Sequence, residues 1–113
     1  MANIGGNIKG TIQTQITAKN SIGEAIKEWS DAFSCVGWLG LQSGGKNYTH
    51  NAKLEDTTHV FLCDYHSGIY ALADRDTRMI VKGFVYDVLL IDNPDEMDEQ
   101  LEVYLRRVGA END

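Results

Sequence analysis

Apolar and polar positions alternate along most of this chain with a period of two, which places successive side chains on opposite faces of a strand. From Thr11, Ile12, Thr14 and Ile16 fall on one face and Gln13, Gln15 and Thr17 on the other. Asn20-Ser21 with Gly23 then marks a turn. Residues 24–42 carry two signals. Ser21 and Glu24 have the spacing of a helix-capping box. Against that, Trp29 and Phe33 share one strand parity while Val36 and Trp38 share the other. A long strand with a bulge near Cys35–Gly37, moving side chains from one face to the other, accommodates both pairs.

The second half is more regular. His59, Phe61, Cys63 and Tyr65 alternate with Val60 and Leu62, and Ser67-Gly68 turns the chain. Residues 69–76 carry no clear period. Met79-Ile80-Val81, then Lys82-Gly83, then Phe84 to Ile91 is the clearest hairpin in the sequence. Asn93-Pro94-Asp95-Glu96 is a turn, with proline where it presets φ. Leu101, Val103 and Leu105 alternate with Glu102, Tyr104 and Arg106 in a last strand. Short strands joined by tight turns predict an all-β fold. The expected form is a small closed or partly open antiparallel barrel of five to six strands, with a long loop after the second.

Three segments fall outside that pattern. Residues 1–9 read as a flexible arm whose large apolar side chains are Ile4 and Ile8. The barrel domain is then 10–109, and 110–113 form an acidic tail. From Ser43 to Asp56 there is almost no apolar periodicity, and Ala52 to Asp56 has room for one helical turn. A connection this long in a compact domain is usually functional. Gly44, Gly45, Lys46, Asn47, Tyr48, Thr49, His50, Asn51 and Lys53 are therefore the candidate site, with Ile4 and Ile8 as the arm's anchors.

Charge narrows the classes of function. The chain of 113 residues carries a net charge of −7, most of it from residues 92–113. Such a surface lacks the Lys/Arg footprint that neutralises nucleic-acid phosphates, and an anionic membrane repels it. No apolar run reaches the ~18 residues of a membrane span. The chain reads as cytoplasmic when made, with Cys35 and Cys63 as reduced thiols.

The chemistry-bearing residues do not assemble into a site. His50, His59, Cys63 and His66 are metal-ligand types without the paired spacing of a tetrahedral zinc site. Neither cysteine has an orienting acid or oxyanion donor indicated beside it, so a Cys/His enzyme is not expected. The acids of 92–99 lack the glycine and terminal glutamate of an EF-hand loop. Gly44-Gly45-Lys46 lacks the rest of a phosphate loop. The aromatic residues Trp29, Trp38, Tyr48, Tyr65, Tyr70, Tyr86 and Tyr104 sit mostly at core parity, where packing accounts for them. A single-strand-binding barrel would need them together with a basic groove. The expectation is a non-enzymatic protein with no cofactor and no metal.

The order of landmarks adds a resemblance. Thr11-Ile12-Gln13 opens the first strand, Gly23 precedes Glu28-Trp29, and Ala32-Phe33 and Trp38 follow. Ser43-Gly44-Gly45 leads to Thr58-His59, then come Arg78-Met79, Lys82-Gly83, Tyr86-Asp87-Val88 and Leu101-Glu102-Val103. This series, over about residues 10–109, resembles the phage head–tail joining family, the head-closure or stopper proteins of long-tailed phages and prophages. One position departs from it. Asp64 stands before Tyr65 where the family commonly has arginine, so a contact made by that arginine is not carried over.

The resemblance implies a small β-barrel, monomeric in isolation, that assembles as a ring, usually a dodecamer, beneath the portal and its adaptor. It implies a role in retaining packaged DNA and in presenting the surface to which tail proteins dock. The loop from Gly44 to Asp56 would reach toward the channel, where Lys46, Tyr48, His50 and Lys53 are candidates for loop–loop or weak DNA contact. The implied locations are the host cytoplasm during assembly and then the neck of the virion. A tail terminator or another neck protein is the alternative of the same class.

Overall fold

Strands with one apolar face must bury it, and six of them do so here by closing on themselves. The computed structural model describes residues 4–41, 57–73 and 76–110. The strands are β1 (Ile8–Lys19), β2 (Ala25–Leu41), β3 (His59–Asp64), β4 (Thr77–Val81), β5 (Phe84–Asp92) and β6 (Gln100–Ala110). One helical turn, α1 (Ser67–Tyr70), follows β3, and a 3-10 turn covers Pro94–Glu96. The ring order is β1-β2-β3-β6-β5-β4, antiparallel throughout, and β4 closes back on β1. The expected all-β architecture is the observed one.

Inside the ring lie Ile12, Phe61, Cys63, Met79, Val81, Tyr86, Leu101, Val103 and Leu105, with Ile69 of α1 buried alongside them. Burying an aliphatic or aromatic side chain of this size contributes about 1.5–3 kcal/mol, so the interior supplies the main driving force. Along β6 burial alternates through Leu101, Val103 and Leu105, as the sequence period predicts. The β4–β5 connection is a two-residue turn with Lys82 at φ 51° and Gly83 at φ 79°, the doubly left-handed turn whose twist suits a hairpin.

β2 is a single strand, but its irregularity lies elsewhere than expected. Ile12 pairs with Phe33 and Gln13 with Asp31, so the extra residue is Ala32 rather than one near Cys35–Gly37. The bulge flips parity between Trp29 and Phe33. Phe33 packs against the core, while Trp29 lies under the guanidinium of Arg78, 4.6 Å from its ring centroid. Beyond the bulge nothing flips again, so Val36 and Trp38 point outward and are 54% and 44% exposed. Of the aromatics assigned to core parity, Tyr86 alone is fully buried among the described residues. Tyr65 and Tyr70 pack against the core from its edge.

Past Thr14 and Trp29, β1 and β2 pair only with each other, as a two-stranded ribbon ending in a turn at residues 20–24. Asn20 organises that turn: its Oδ1 accepts from the N–H groups of Ile22 (3.1 Å) and Glu24 (2.9 Å), in place of a helix cap. The helical turn described, α1, starts on the expected Ser67-Gly68 turn and ends in the stretch without clear period. The suggested turn at Ala52–Asp56 lies outside the described residues.

The N-terminal segment also differs from the sequence expectation. Ile8 and Lys9, counted with the arm, are the first residues of β1, opposite Gly37 and Val36. Ahead of them, residues 4–7 cross β2 and reach β3. Asn7 N–H donates to Gly37 O (3.0 Å), and the Asp64 carboxylate accepts from Ile4 N–H (2.7 Å) and Gly5 N–H (3.3 Å). Trp38 Nε1–H donates to Ile4 O at 2.8 Å. The crossing requires glycine at both levels, since a Cβ on Gly6 would overlap the Gly37 backbone and one on Gly37 would overlap Leu62 O.

Candidate functional site

The sequence assigns the site to Gly44, Gly45, Lys46, Asn47, Tyr48, Thr49, His50, Asn51 and Lys53, and all of these lie outside the described residues. The structure does describe the rim from which that segment leaves and to which it returns. β2 ends at Leu41, which pairs with His59, and His59 in turn pairs with Leu105 of β6. The chain re-enters at Thr57 and Thr58, where Thr58 N–H donates to Leu105 O at 2.8 Å. The flanks of residues 42–56 thus lie at one end of the closed sheet, with Thr58 beside β6.

A polar cluster is built into that rim. Thr58 Oγ1 accepts from Arg107 N–H at 2.8 Å and shares a hydrogen bond of 2.9 Å with His59 Nδ1. The His59 ring meets Tyr86 edge-on, with centroids 5.1 Å apart. Arg107 Nη2 donates to the Tyr86 hydroxyl at 2.7 Å, and its guanidinium stands 4.0 Å from the Phe84 ring centroid. Burial first, and the nearby Arg107 charge second, hold the His59 imidazole below its ordinary pKa, so it is neutral at pH 7. Thr57 Oγ1 is buried and has no hydrogen-bond partner among the described residues. Arg107 was not singled out from sequence. It lies two residues after the buried Leu105, and cross-strand register sets it opposite Tyr86.

The geometry offers a fixed cation on an aromatic shelf and a neutral histidine, which suits holding an anion weakly. Cys63 is buried and hydrogen-bonded to Cys35, and this bond together with burial pushes its thiol far up, away from the thiolate form. Among the described residues no three His, Cys, Asp or Glu side chains converge as metal ligands. His66 instead lies against the Phe33 ring, 5.3 Å between centroids. At the other end of the molecule a cleft of about 320 Å³ opens at the root of the ribbon, between Thr14, Thr17, Lys27 and Asp76.

Of the two arm residues, Ile8 packs at the edge of the core, and Ile4 is half-buried where the arm meets Asp64 and Trp38. The position where an arginine was expected therefore holds the acceptor for the arm.

Comparison with known proteins bears on what this arrangement is for. Residues 7–108 match the sequence model described as phage head completion protein. The fold is similar to the solution structure of protein SF1141 from Shigella flexneri 2a. The two share 21% identity at a TM-score of 0.67, over 95% of this chain and 96% of that one. No curated protein matches.

Proposed function

The chain belongs to the phage head completion protein family, and from that premise we propose that it is a ring component of the head–tail connector. In this reading it docks on the portal or its adaptor after packaging, helps close the DNA channel, and offers the surface on which the tail assembles. The observation that carries the proposal is the family match over nearly the whole chain.

The architecture supports the same reading. The closed sheet is a spacer whose ribbon projects at one end of β2, while Leu41 and Thr57, the described flanks of residues 42–56, belong to the other end. Segments that order against partners suit a protein whose task is contact. Residues Lys46, Tyr48, His50 and Lys53, joined to the rim beside Arg107, are the groups proposed to touch packaged DNA or one another. The net charge of −7 keeps that contact weak, so DNA is retained without being bound tightly. The protein acts as a structural part, monomeric before assembly and a dodecamer in the neck.

The test is complementation. DNA-filled heads from a phage lacking this gene are mixed with the purified chain, then with tails, and scored for retained DNA and for infectious particles. The proposal requires both to be restored. A Lys46→Ala/Tyr48→Ala/His50→Ala/Lys53→Ala variant should still bind the heads but retain less DNA. Heads that stay leaky and tailless with the wild-type chain would overturn the reading.

A further inference from the structure

Outward side chains on a closed sheet normally face water and are polar, yet between the polar pairs Asp64–Gln100 and Arg106–Asp87 the middle of the outer face of β3 and β6 is largely apolar. Register brings two rows together there. One runs Trp38, Leu62, Glu102, Asp92 and the next runs Gly40, Val60, Tyr104, Leu90. Leu62, Val60, Tyr104 and Leu90 are half-buried, Trp38 is 44% exposed, and the polar groups among them are acidic. The Tyr104 hydroxyl donates to Glu102 at 2.8 Å, and burial first, with this bond second, keeps the phenol well above its ordinary pKa. Neither Glu102 nor Asp92 lies within ion-pair distance of a cation among the described residues.

In the ring order, the pair β1–β4 sits diametrically opposite β3–β6. Its outer face has the complementary character. Gly10 pairs with Val81, so Lys9 and Lys82 emerge side by side, both exposed and neither in an ion pair among the described residues. Ile80 and Val85 form a half-buried apolar row beside them.

We infer that these two faces bind each other between copies of this chain: the β3–β6 face of one copy takes the β1–β4 face of the next. The occupant is argued from charge. An acidic pair set in apolar surface on one side, and an unpaired lysine couple set in apolar surface on the opposite side, satisfy one another only across a copy. Because the faces are opposite and different, the contact is heterologous and propagates head to tail, which closes as a ring if the rotation per subunit allows. The inference rests on the proposed ring role for its setting and adds the surfaces that would form the ring.

The test uses the full chain alone, without heads or tails. Amide chemical shifts are followed at low salt as the protein is concentrated, and association is measured by sedimentation. The expected result is concentration-dependent shifts on both faces, at Leu62, Glu102 and Tyr104 and at Lys9, Ile80 and Lys82. A Glu102→Lys/Asp92→Lys variant and a Lys9→Glu/Lys82→Glu variant should each self-associate at least about tenfold more weakly, since like charges then face each other. Mixing the two variants should restore association, because every contact in the mixture pairs opposite charges again. Absence of shifts on concentration, shifts on one face only, or a mixture no tighter than its parts would overturn the inference. The wild-type shift map decides even if a variant fails to fold. A chain that self-associates in this way but does not complete heads would refute the proposed function and leave this inference standing.

Discussion

Replacing Asp64 with alanine removes the acceptor that ties residues 4 and 5 to β3. The carboxylate receives a short bond from Ile4 N–H at 2.7 Å and a longer, exposed one from Gly5 N–H at 3.3 Å. A hydrogen bond to a charged group contributes about 1.5–3 kcal/mol net, and solvent at the second bond leaves it near the bottom of any such scale. Taking the short bond as the main loss, the arm opens more easily by about 2 kcal/mol, or about 30-fold in its opening equilibrium. Hydrogen exchange reads this directly at two protons that only a docked arm protects. Asn7 N–H bonds to Gly37 O, and Trp38 Nε1–H bonds to Ile4 O. Both should exchange about 30-fold faster in Asp64→Ala than in wild type under conditions where opening is at equilibrium. Amides paired between β3 and β6, such as that of Val103, should accelerate far less, since they open with the sheet. Unchanged exchange at Asn7 and Trp38 would refute the assignment of Asp64 as the anchor.

Other expectations concern the core and the rim. Gly37→Ala drives a methyl group into Leu62 O and the Phe61 ring, so it should destabilise by about 1–3 kcal/mol or more in urea unfolding. His59 has a folded-state pKa held below its ordinary 6.5. The unfolded chain therefore binds its proton first, so this stabilisation is complete above pH 6.5 and declines as pH falls through the folded pKa. An NMR titration should place His59 below the ordinary histidine value of 6.5, and His59→Gln should flatten that part of the pH dependence of unfolding. Cys63 should resist a thiol reagent at neutral pH until the protein is denatured; rapid modification in the native state would contradict its raised pKa.

Where side-chain pattern and backbone geometry agreed, the fold was legible. The β4–β5 hairpin could be read from Lys82-Gly83 because a glycine at the second turn position fits the required left-handed backbone. β6 could be read because Leu101, Val103 and Leu105 have no competing period. The position of the bulge in β2 could not, since an extra residue at Ala32 leaves no compositional mark and exchanges the faces of everything beyond it. Counting Trp38 among the aromatics at core parity follows from placing that flip too late. The docking of the arm was equally hidden. A carboxylate that accepts from backbone N–H groups sixty residues away creates no sequence period, so Asp64 showed itself only as a departure from a family pattern. For the candidate site, the sequence pointed to residues 44–53, whereas the neighbouring cluster of Thr58, His59, Tyr86 and Arg107 depends on cross-strand register that no local pattern encodes.

The ribbon also leaves the protein with an edge to guard against other chains. Closure of the sheet pairs nearly every strand edge, but among the described residues β2 pairs with β3 only from Gly37 to Leu41. Its edge over residues 25–31 is therefore open to strands of other chains, the usual starting point for runaway β-aggregation. Lys27, Glu28 and Asp31 place charge along that edge, and the bulge at Ala32 breaks the flat register an incoming strand would need. Neutralising those three charges while keeping the bulge should leave the fold intact and shorten the lag before fibrils form.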